Sequence, residues 1–502
     1  MARKLDKDLR RLTSLEDAVR SRGQHLARLS AGLLFLALAG LLADAFVGLG
    51  SHWGIVVVAS MVSAYMALNV GANDVANNMS PAVGSRTLTI ATAVMIAAVA
   101  EAAGAVIAGG DVVATVSKGI IRPALMPDAA AFTAAMIAAL FAAALWINLA
   151  TWIGAPVSTT HSVVGGVLGA GVMMAGFGVA DWGVVLQIVA SWIVSPVLGG
   201  VIAAAFLAYI EVSVLGAADK VAAARRRVPY LVGIMAGAFT VYLLMKGLSR
   251  IMPVTIWFAL GIGLAVMIVC VLVVRPRVER RLGGGGLHKT KVGELFTIPV
   301  ICGAALLSFA HGSNDVANAI GPLAAIYQAV GGGALGDKSP LPIWVLLIGA
   351  AGISIGLLLY GPRLIRTVGS EITKLNRVRA FCITLSAAIT VIIASTMGLP
   401  VSSTHIAIGA LFGVGFLREY FANKENGAGK TVVTGEVMNE PGTPHQAKDP
   451  RIKADKMRRR YLVRRSHMVT IVAAWVITVP VTGAIAALLA WLIDNSGLIV
   501  LG

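Results

Sequence analysis

The sequence has little charge: 13% of its 502 residues are Asp, Glu, Lys or Arg, where a soluble globular chain carries about 25%. Acidic residues are the scarcer kind, 24 against 41 basic ones, and the net charge is +17. Cysteine is nearly absent. Cys270, Cys302 and Cys382 lie far apart in or beside apolar segments, so neither a disulfide framework nor a zinc site follows from them. A nucleic-acid-binding domain needs a basic face, and here the basic residues sit instead in blocks between apolar runs. What the chain has in quantity is apolar surface: 57% hydrophobic residues and a mean hydropathy of +0.84. A compact soluble domain of this length cannot hide that much. At roughly 20 residues per crossing there is material for a dozen or more membrane helices. The fold class expected is an all-α polytopic membrane protein.

Thirteen apolar runs occur, at 31–49, 54–72, 87–110, 130–153, 157–178, 183–210, 230–247, 253–274, 295–313, 342–361, 379–398, 402–417 and 467–492. An odd number of crossings puts the termini on opposite sides. Lys and Arg cluster in residues 1–30, 211–229, 275–291, 362–379 and 418–466, which hold 35 of the 41. With a cytoplasmic N-terminus all five blocks fall on the cytoplasmic side, as loops rich in Lys and Arg resist translocation. The C-terminus is then outside, and the host membrane is the inner, cytoplasmic membrane of the cell.

Ala43-Asp44-Ala45 resembles a signal-peptide cleavage site, but a charged leader of 29 residues ahead of it is long for that role. Leu5, Leu9, Leu12 and Val19 recur at helical spacing in the leader, which suits an amphipathic helix on the membrane surface. Residues 418–466 carry Gly, Pro and both signs of charge without apolar periodicity and read as a flexible cytoplasmic loop. Gly429-Lys430-Thr431 lies there. It lacks the earlier glycine of a nucleotide-binding loop, since Lys424 stands at that position, and no strand precedes it.

Two motifs occur twice. Gly71-Ala72-Asn73-Asp74-Val75-Ala76-Asn77 through Pro81 matches Gly312-Ser313-Asn314-Asp315-Val316-Ala317-Asn318 through Pro322 at 7 of 11 positions. Pro156-Val157-Ser158-Thr159-Thr160-His161 matches Pro400-Val401-Ser402-Ser403-Thr404-His405. Asn73 and Ser158 are 85 residues apart, Asn314 and Ser402 88. The chain is therefore an internal duplication. The run before Asn73 heads inward and the run before Asn314 starts after an inner basic block, so the copies are inverted about an axis in the membrane plane. Inverted repeats of this kind are a transporter architecture, with the substrate near the midplane where the copies meet. The expected core is two inverted repeats with broken helices, about 12 core helices, plus one extra N-terminal span.

Asn and Asp are costly inside a membrane and persist where they face a cavity or a partner. Asn73 and Asn77, and likewise Asn314 and Asn318, share a helical face at i and i+4 with Asp74 or Asp315 beside them. The flanking Gly and Pro predict a helix interruption that frees backbone carbonyls, tolerable only where they line an enclosed site. Together these oxygens suit a small hard cation. Pro156 and Pro400 are expected in the first turn of a helix with hydroxyls directly after them. The unpaired N–H groups and hydroxyls of such a turn suit an anion. Two facing turns fit a tetrahedral oxyanion. Beside Asp74 and Asp315 that anion is repelled unless H⁺ or Na⁺ accompanies it.

Gly165, Gly169, Gly409 and Gly413 are spaced for close helix packing. His161 and His405 are expected to cap or bond within their half-helices rather than transfer protons. His311 precedes the second signature only and is assigned no role. Glu101 is an acid in an apolar run, by default a functional residue, without an evident counterpart in the second half.

The duplicated Gly-x-Asn-Asp-Val-Ala-Asn and Pro-Val-Ser-Thr-Thr-His motifs resemble those of the inorganic phosphate transporter (PiT) family of secondary transporters, over residues of about 54 to 492. The resemblance implies symport of inorganic phosphate with Na⁺ or H⁺, no enzyme activity, no cofactor beyond the co-transported cation, and a homodimer in the lipid bilayer. It implies substrate contacts from Asn73, Asp74, Ser158, Thr159, Thr160, Asn314, Asp315, Ser402, Ser403 and Thr404, and cation contacts from Asp74, Asn77, Asp315 and Asn318. The corresponding division is a leader (1–30), an extra span (31–53), a first repeat (54–228), a linking pair with a basic loop (229–293), a second repeat core (294–417), the loop (418–466) and a last helix (467–502). The departure from the repeat is modest: Asn78-Met79-Ser80 sits where the second copy has Ala319-Ile320-Gly321. A symporter of sulfate or another oxyanion, an intramembrane Ser/His/Asp hydrolase and a passive anion channel are the competing readings. Phosphate keeps a proton at neutral pH and can donate it to a carboxylate, which sulfate cannot. A hydrolase has no use for an inverted second copy of its site.

Overall fold

In lipid every backbone N–H and C=O must be satisfied within the chain, and helices do this locally. The computed structural model describes residues 2–47, 53–153, 157–248, 252–282, 290–331, 341–371, 375–427 and 465–499. Among these the chain is helical, with no strand beyond an isolated bridge between Ile121 and Ala180. The helices are α1 (Ala2–Val47), α2 (Trp53–Gly84), α3 (Ile90–Ala108), α4 (Gly110–Lys118), α5 (Ala129–Ile153), α6 (Thr159–Ala175), α7 (Trp182–Ile210) and α8 (Lys220–Lys246). They continue as α9 (Ile256–Leu282), α10 (Thr290–Glu294), α11 (Thr297–Val330), α12 (Ile343–Glu371), α13 (Arg377–Thr396), α14 (Ser403–Gly427) and α15 (Arg465–Ser496).

Eleven of these stretches are long and apolar enough to cross a membrane. The two expected crossings that are not among them are α6 and α14, and both follow a Ser/Thr turn. α5 and α6 form one hairpin and α13 and α14 another. The far ends of the first hairpin lie together: Arg122 N donates to Val179 O and Asp181 N to Ile120 O, just before α5 and just after α6. Its tip reaches Asp74, ten residues short of the end of α2, about 15 Å at helical rise. The pair thus enters and leaves on one face. Treating each arm as a separate crossing leaves the sidedness of everything after it unchanged, because a hairpin and two crossings have the same parity.

Contacts between helices establish the inversion. Ser63 Oγ of α2 donates to Ala319 O of α11 at 2.9 Å, while His311 lies 3.8 Å from Asp74. Residue numbers rise along one helix as they fall along the other, so α2 and α11 run antiparallel. Gly71 meets the backbone of Ile353 on α12, and Gly312 meets that of Glu101 on α3. A Cβ at either glycine would collide with backbone, and this fixes glycine ahead of each Asn-Asp pair. The glycines after the Ser/Thr turns pack as expected. Gly165 and Gly169 of α6 face Val479 and Gly483 of α15, and Gly409 and Gly413 of α14 face Pro196 and Gly200 of α7. Each hairpin is thus flanked by the helix that follows the hairpin of the other repeat. α8 and α9 pair through Gly233, Gly237 and Gly263 and join the two copies.

Several sequence expectations need correction. The Asn-Asp segments do not interrupt their helices, since α2 and α11 run through them with Pro81 and Pro322 inside. Proline still has its effect there. It has no N–H for the carbonyl four residues back, which is Asn77 in one copy and Asn318 in the other. The carbonyls are released without a break. The breaks lie at Gly109 between α3 and α4 and at the Ser/Thr turns. Pro400 stands two residues before the helix cap Ser402 rather than in the first turn; Pro156 lies outside the described residues. Leader and first span are one helix, α1. α14 runs past 417 to Gly427. The flexible loop expected at 418–466 lies, from 428 to 464, outside the described residues.

Candidate functional site

The two hairpin tips and the two Asn-Asp helices converge. Ser158 and Ser402 are the N-caps of α6 and α14, their hydroxyls accepting from His161 N at 3.2 Å and His405 N at 3.3 Å. Capping satisfies one orphan N–H of the first turn and leaves the following hydroxyls to project from it. Thr159 Oγ1 donates to Asp74 Oδ2 at 2.8 Å, and the equivalent Ser403 Oγ donates to Asp315 Oδ2 at 3.1 Å. Thr404 Oγ1 donates to Asp74 Oδ1 at 3.1 Å and accepts from Asn77 Nδ2 at 2.7 Å. Asn318 Nδ2 donates to Thr160 Oγ1 at 3.1 Å, and that hydroxyl donates to Val401 O at 3.0 Å. Each tip therefore bonds the Asn-Asp helix of its own repeat and that of the other. Ser158, Thr159, Thr160, Ser402, Ser403, Thr404, Asp74, Asp315, Asn73, Asn314 and Asn318 are all buried, whereas Asn77 is partly exposed.

Asn73 and Asn314 hold the hairpins rather than facing the centre. Asn73 Nδ2 donates to Thr151 Oγ1 at the end of α5, at 2.9 Å. Asn314 Nδ2 donates to Ser395 Oγ at 3.1 Å and Leu399 O at 3.0 Å, and its Oδ1 accepts from Val401 N at 3.2 Å. A left-handed Gly398, at φ 68°, turns the chain there, a conformation that favours glycine. Its carbonyl accepts from Thr115 Oγ1 of α4 at 2.7 Å.

At the centre is a residue to which sequence reasoning gave no role. His311 is fully buried, with Nε2 2.9 Å from Asp315 Oδ2 and 3.8 Å from Asp74 Oδ2, and Nδ1 3.3 Å from Glu101 Oε2. Glu101 is also buried, and its Oε1 accepts from Asn78 Nδ2 at 2.9 Å. Three carboxylates surround one imidazole. The acidic groups of the cluster outnumber its one base by two. Charges buried in lipid are tolerated when paired, and this excess asks for cations. Asp315 Oδ1 and Asn318 Oδ1 are buried acceptors without a hydrogen-bond donor, which costs stability unless something else satisfies them. The ligand atoms of Asp74, His311 and Asp315 all lie within 4.8 Å of one another. The signal that could have found His311 was its place one residue before the second signature, on the α11 face that bears Asp315.

An inverted pair of re-entrant hairpins meeting two charged helices inside a bilayer-spanning bundle defines a membrane transporter, not an enzyme. The chain belongs to the phosphate transporter family, whose model it matches over residues 70–486. It is 42% identical to a protein of Helicobacter pylori named "Putative phosphate permease", over 96% of this chain and 98% of that one. A protein of the same name in Thermococcus kodakarensis is 38% identical over 70% of this chain and 86% of its own length. A solved structure titled "The sodium-dependent phosphate transporter" superposes with a TM-score of 0.74 at 32% identity, covering 88% of this chain and 99% of that one. This chain is an integral membrane protein of phosphate transport.

Proposed function

We propose that the protein is a symporter that imports inorganic phosphate by alternating access, with Na⁺ as the coupling ion. The observation that carries this reading is the double engagement of the hydroxyls. Thr159, Ser403 and Thr404 are the groups suited to hold the anion, and each donates to Asp74 or Asp315. One hydroxyl hydrogen cannot serve a carboxylate and a phosphate oxygen at once. A cation on the carboxylates, with Asn77 and Asn318 supplying further oxygens, releases those hydroxyls and cancels the charge that repels the anion. Cation binding thus prepares the anion site, and phosphate in turn holds the cations. The N-terminal turns of α6 and α14, with Thr160 and the capping serines Ser158 and Ser402, complete the cradle through N–H groups and helix dipoles. Asn73 and Asn314 act by fixing the tips.

Sodium is favoured over the proton by the oxygen-rich donor set, a hard cation's preference, and by the similarity to a transporter titled sodium-dependent. The pattern of basic blocks supports a cytoplasmic N-terminus, an external C-terminus and residence in the inner membrane. A homodimer belongs to the same reading and is checked by the mass of the detergent-solubilised particle. Phosphate uptake into proteoliposomes under separately imposed Na⁺ and H⁺ gradients tests the proposal. Uphill uptake driven by Na⁺ alone is expected. Uptake that only equilibrates points to a channel, H⁺-driven uptake overturns the choice of ion, and equal competition by sulfate overturns the choice of anion.

A further inference from the structure

α7 and α15 each follow a hairpin, and each carries a tryptophan ahead of an in-helix proline: Trp192 before Pro196 and Trp475 before Pro480. Glycines Gly199 and Gly483 stand three residues after those prolines. Each indole packs on the histidine of its own repeat's Ser/Thr motif, and His161 and His405 meet at 4.5 Å between ring centroids. The four rings form one row, Trp192–His161–His405–Trp475, behind the two tips.

The row is not symmetric. Trp192 stands edge-on to His161, at 3.7 Å and 78°, and its Nε1 donates at 3.2 Å to Pro400 O, a carbonyl at the tip of the other repeat's hairpin. Trp475 instead lies flat on His405, at 3.5 Å and 30°, and its buried Nε1 has no hydrogen-bond partner. A buried donor without an acceptor is a cost that native structures seldom leave standing. Two inverted copies that differ in this way are what a bistable element looks like when one of its states is seen. We propose that Trp192 and Trp475 are positioning residues that exchange one hydrogen bond during transport, an inference that rests on the alternating-access reading above. Trp192 holds the second hairpin's tip in the conformation described here. When the copies trade conformations that bond breaks, and Trp475 makes its inverted image to the first hairpin.

Trp192→Phe and Trp475→Phe keep a flat ring against each histidine and remove the N–H. The apparent affinity for phosphate is measured from each side of the membrane, in right-side-out and inside-out vesicles. Removing the Trp192 bond destabilises the present conformation and removing the Trp475 donor destabilises the opposite one. The ratio of the two sided KM values is expected to move about three- to tenfold, in opposite directions in the two variants. A ratio that moves the same way in both, or stays fixed with each protein present in normal amount, overturns the proposal; packing alone would slow both directions alike. Wild-type protein with ¹⁵N-labelled indoles gives a second reading. One hydrogen-bonded and one unbonded signal should trade intensity on addition of phosphate with Na⁺, and signals that stay fixed overturn it as well. Failure of alternating access shows separately, as wild-type efflux that external phosphate does not accelerate. The tryptophan proposal fails when that exchange is intact and the variants do not diverge.

Discussion

The two repeats are built on one plan and depart from it at the charge that faces the site. Aligned through Gly71 and Gly312, the first copy has Val70 where the second has His311. Aligned through the glycines that receive Leu68 and Phe309, Gly356 and Gly104, the second copy has Ile353 where the first has Glu101. His311 and Glu101 lie 3.3 Å apart, so each repeat gives one half of a pair that neither contains alone. The copies also differ in shape. Gly109 and Gly361 each receive the valine of the opposing signature, Val316 or Val75, yet the chain breaks into α3 and α4 at the first and runs on as α12 through the second. The alternating-access reading proposed above calls for two such unlike conformations at any moment, because it has the site open on one side only. Asn77 is partly exposed, and its counterpart Asn318 is buried.

The largest expected effect tests what the copies share. Asp74→Asn and Asp315→Asn each remove a carboxylate proposed to hold the coupling cation and weaken its hydrogen bonds to the tip hydroxyls, and gradient-driven uptake should fall at least about a hundredfold in either. Uptake near normal in one variant would make that repeat's carboxylate dispensable and break the equivalence. The next effect tests what they do not share. His311→Val and Glu101→Ile each restore the residue of the other copy, and each should raise the apparent KM for phosphate or for Na⁺ by about tenfold. A double-mutant cycle between them is expected to give a coupling of about 1–3 kcal/mol, and additivity would show that the pair does not act as a unit. Gly169→Leu and Gly413→Leu probe the packing the repeats hold in common. Both should lower the amount of folded protein in the membrane through overpacking of about 1–3 kcal/mol, while Gly178→Leu, with open space around it, should not. Smallest are Ser158→Ala and Ser402→Ala, which remove caps worth about 1 kcal/mol and should weaken phosphate affinity about fivefold and equally. A far larger loss in one of them would place its hydroxyl on the substrate.

Duplication made the site legible. Two motifs recurring at one spacing, with basic blocks between apolar runs, were enough to infer inverted copies, and the structure brings both Asn-Asp segments to both Ser/Thr turns. Reasoning from repetition is blind to what occurs once. His311 has no repeat partner, so repetition gives it no role, and nothing in the sequence pairs it with Glu101, 210 residues away. The helix break was misplaced for a different reason. Glycine and proline are read from sequence as breakers, but Gly71 and Gly312 are there for close approach, and Pro81 and Pro322 release a carbonyl inside a helix that neighbours hold in place. Trp192 and Trp475 do not register as a repeat, because they differ by one residue in their distance to the following proline.

The packing of α6 against α15 has a consequence for how the molecule is made. The glycine face of α6 opposes Val479 and Gly483 of α15, so during synthesis that face has no cover until α15 is made. A chain released before α15 is made leaves that hairpin bare, and exposed apolar surface of this kind promotes misassembly.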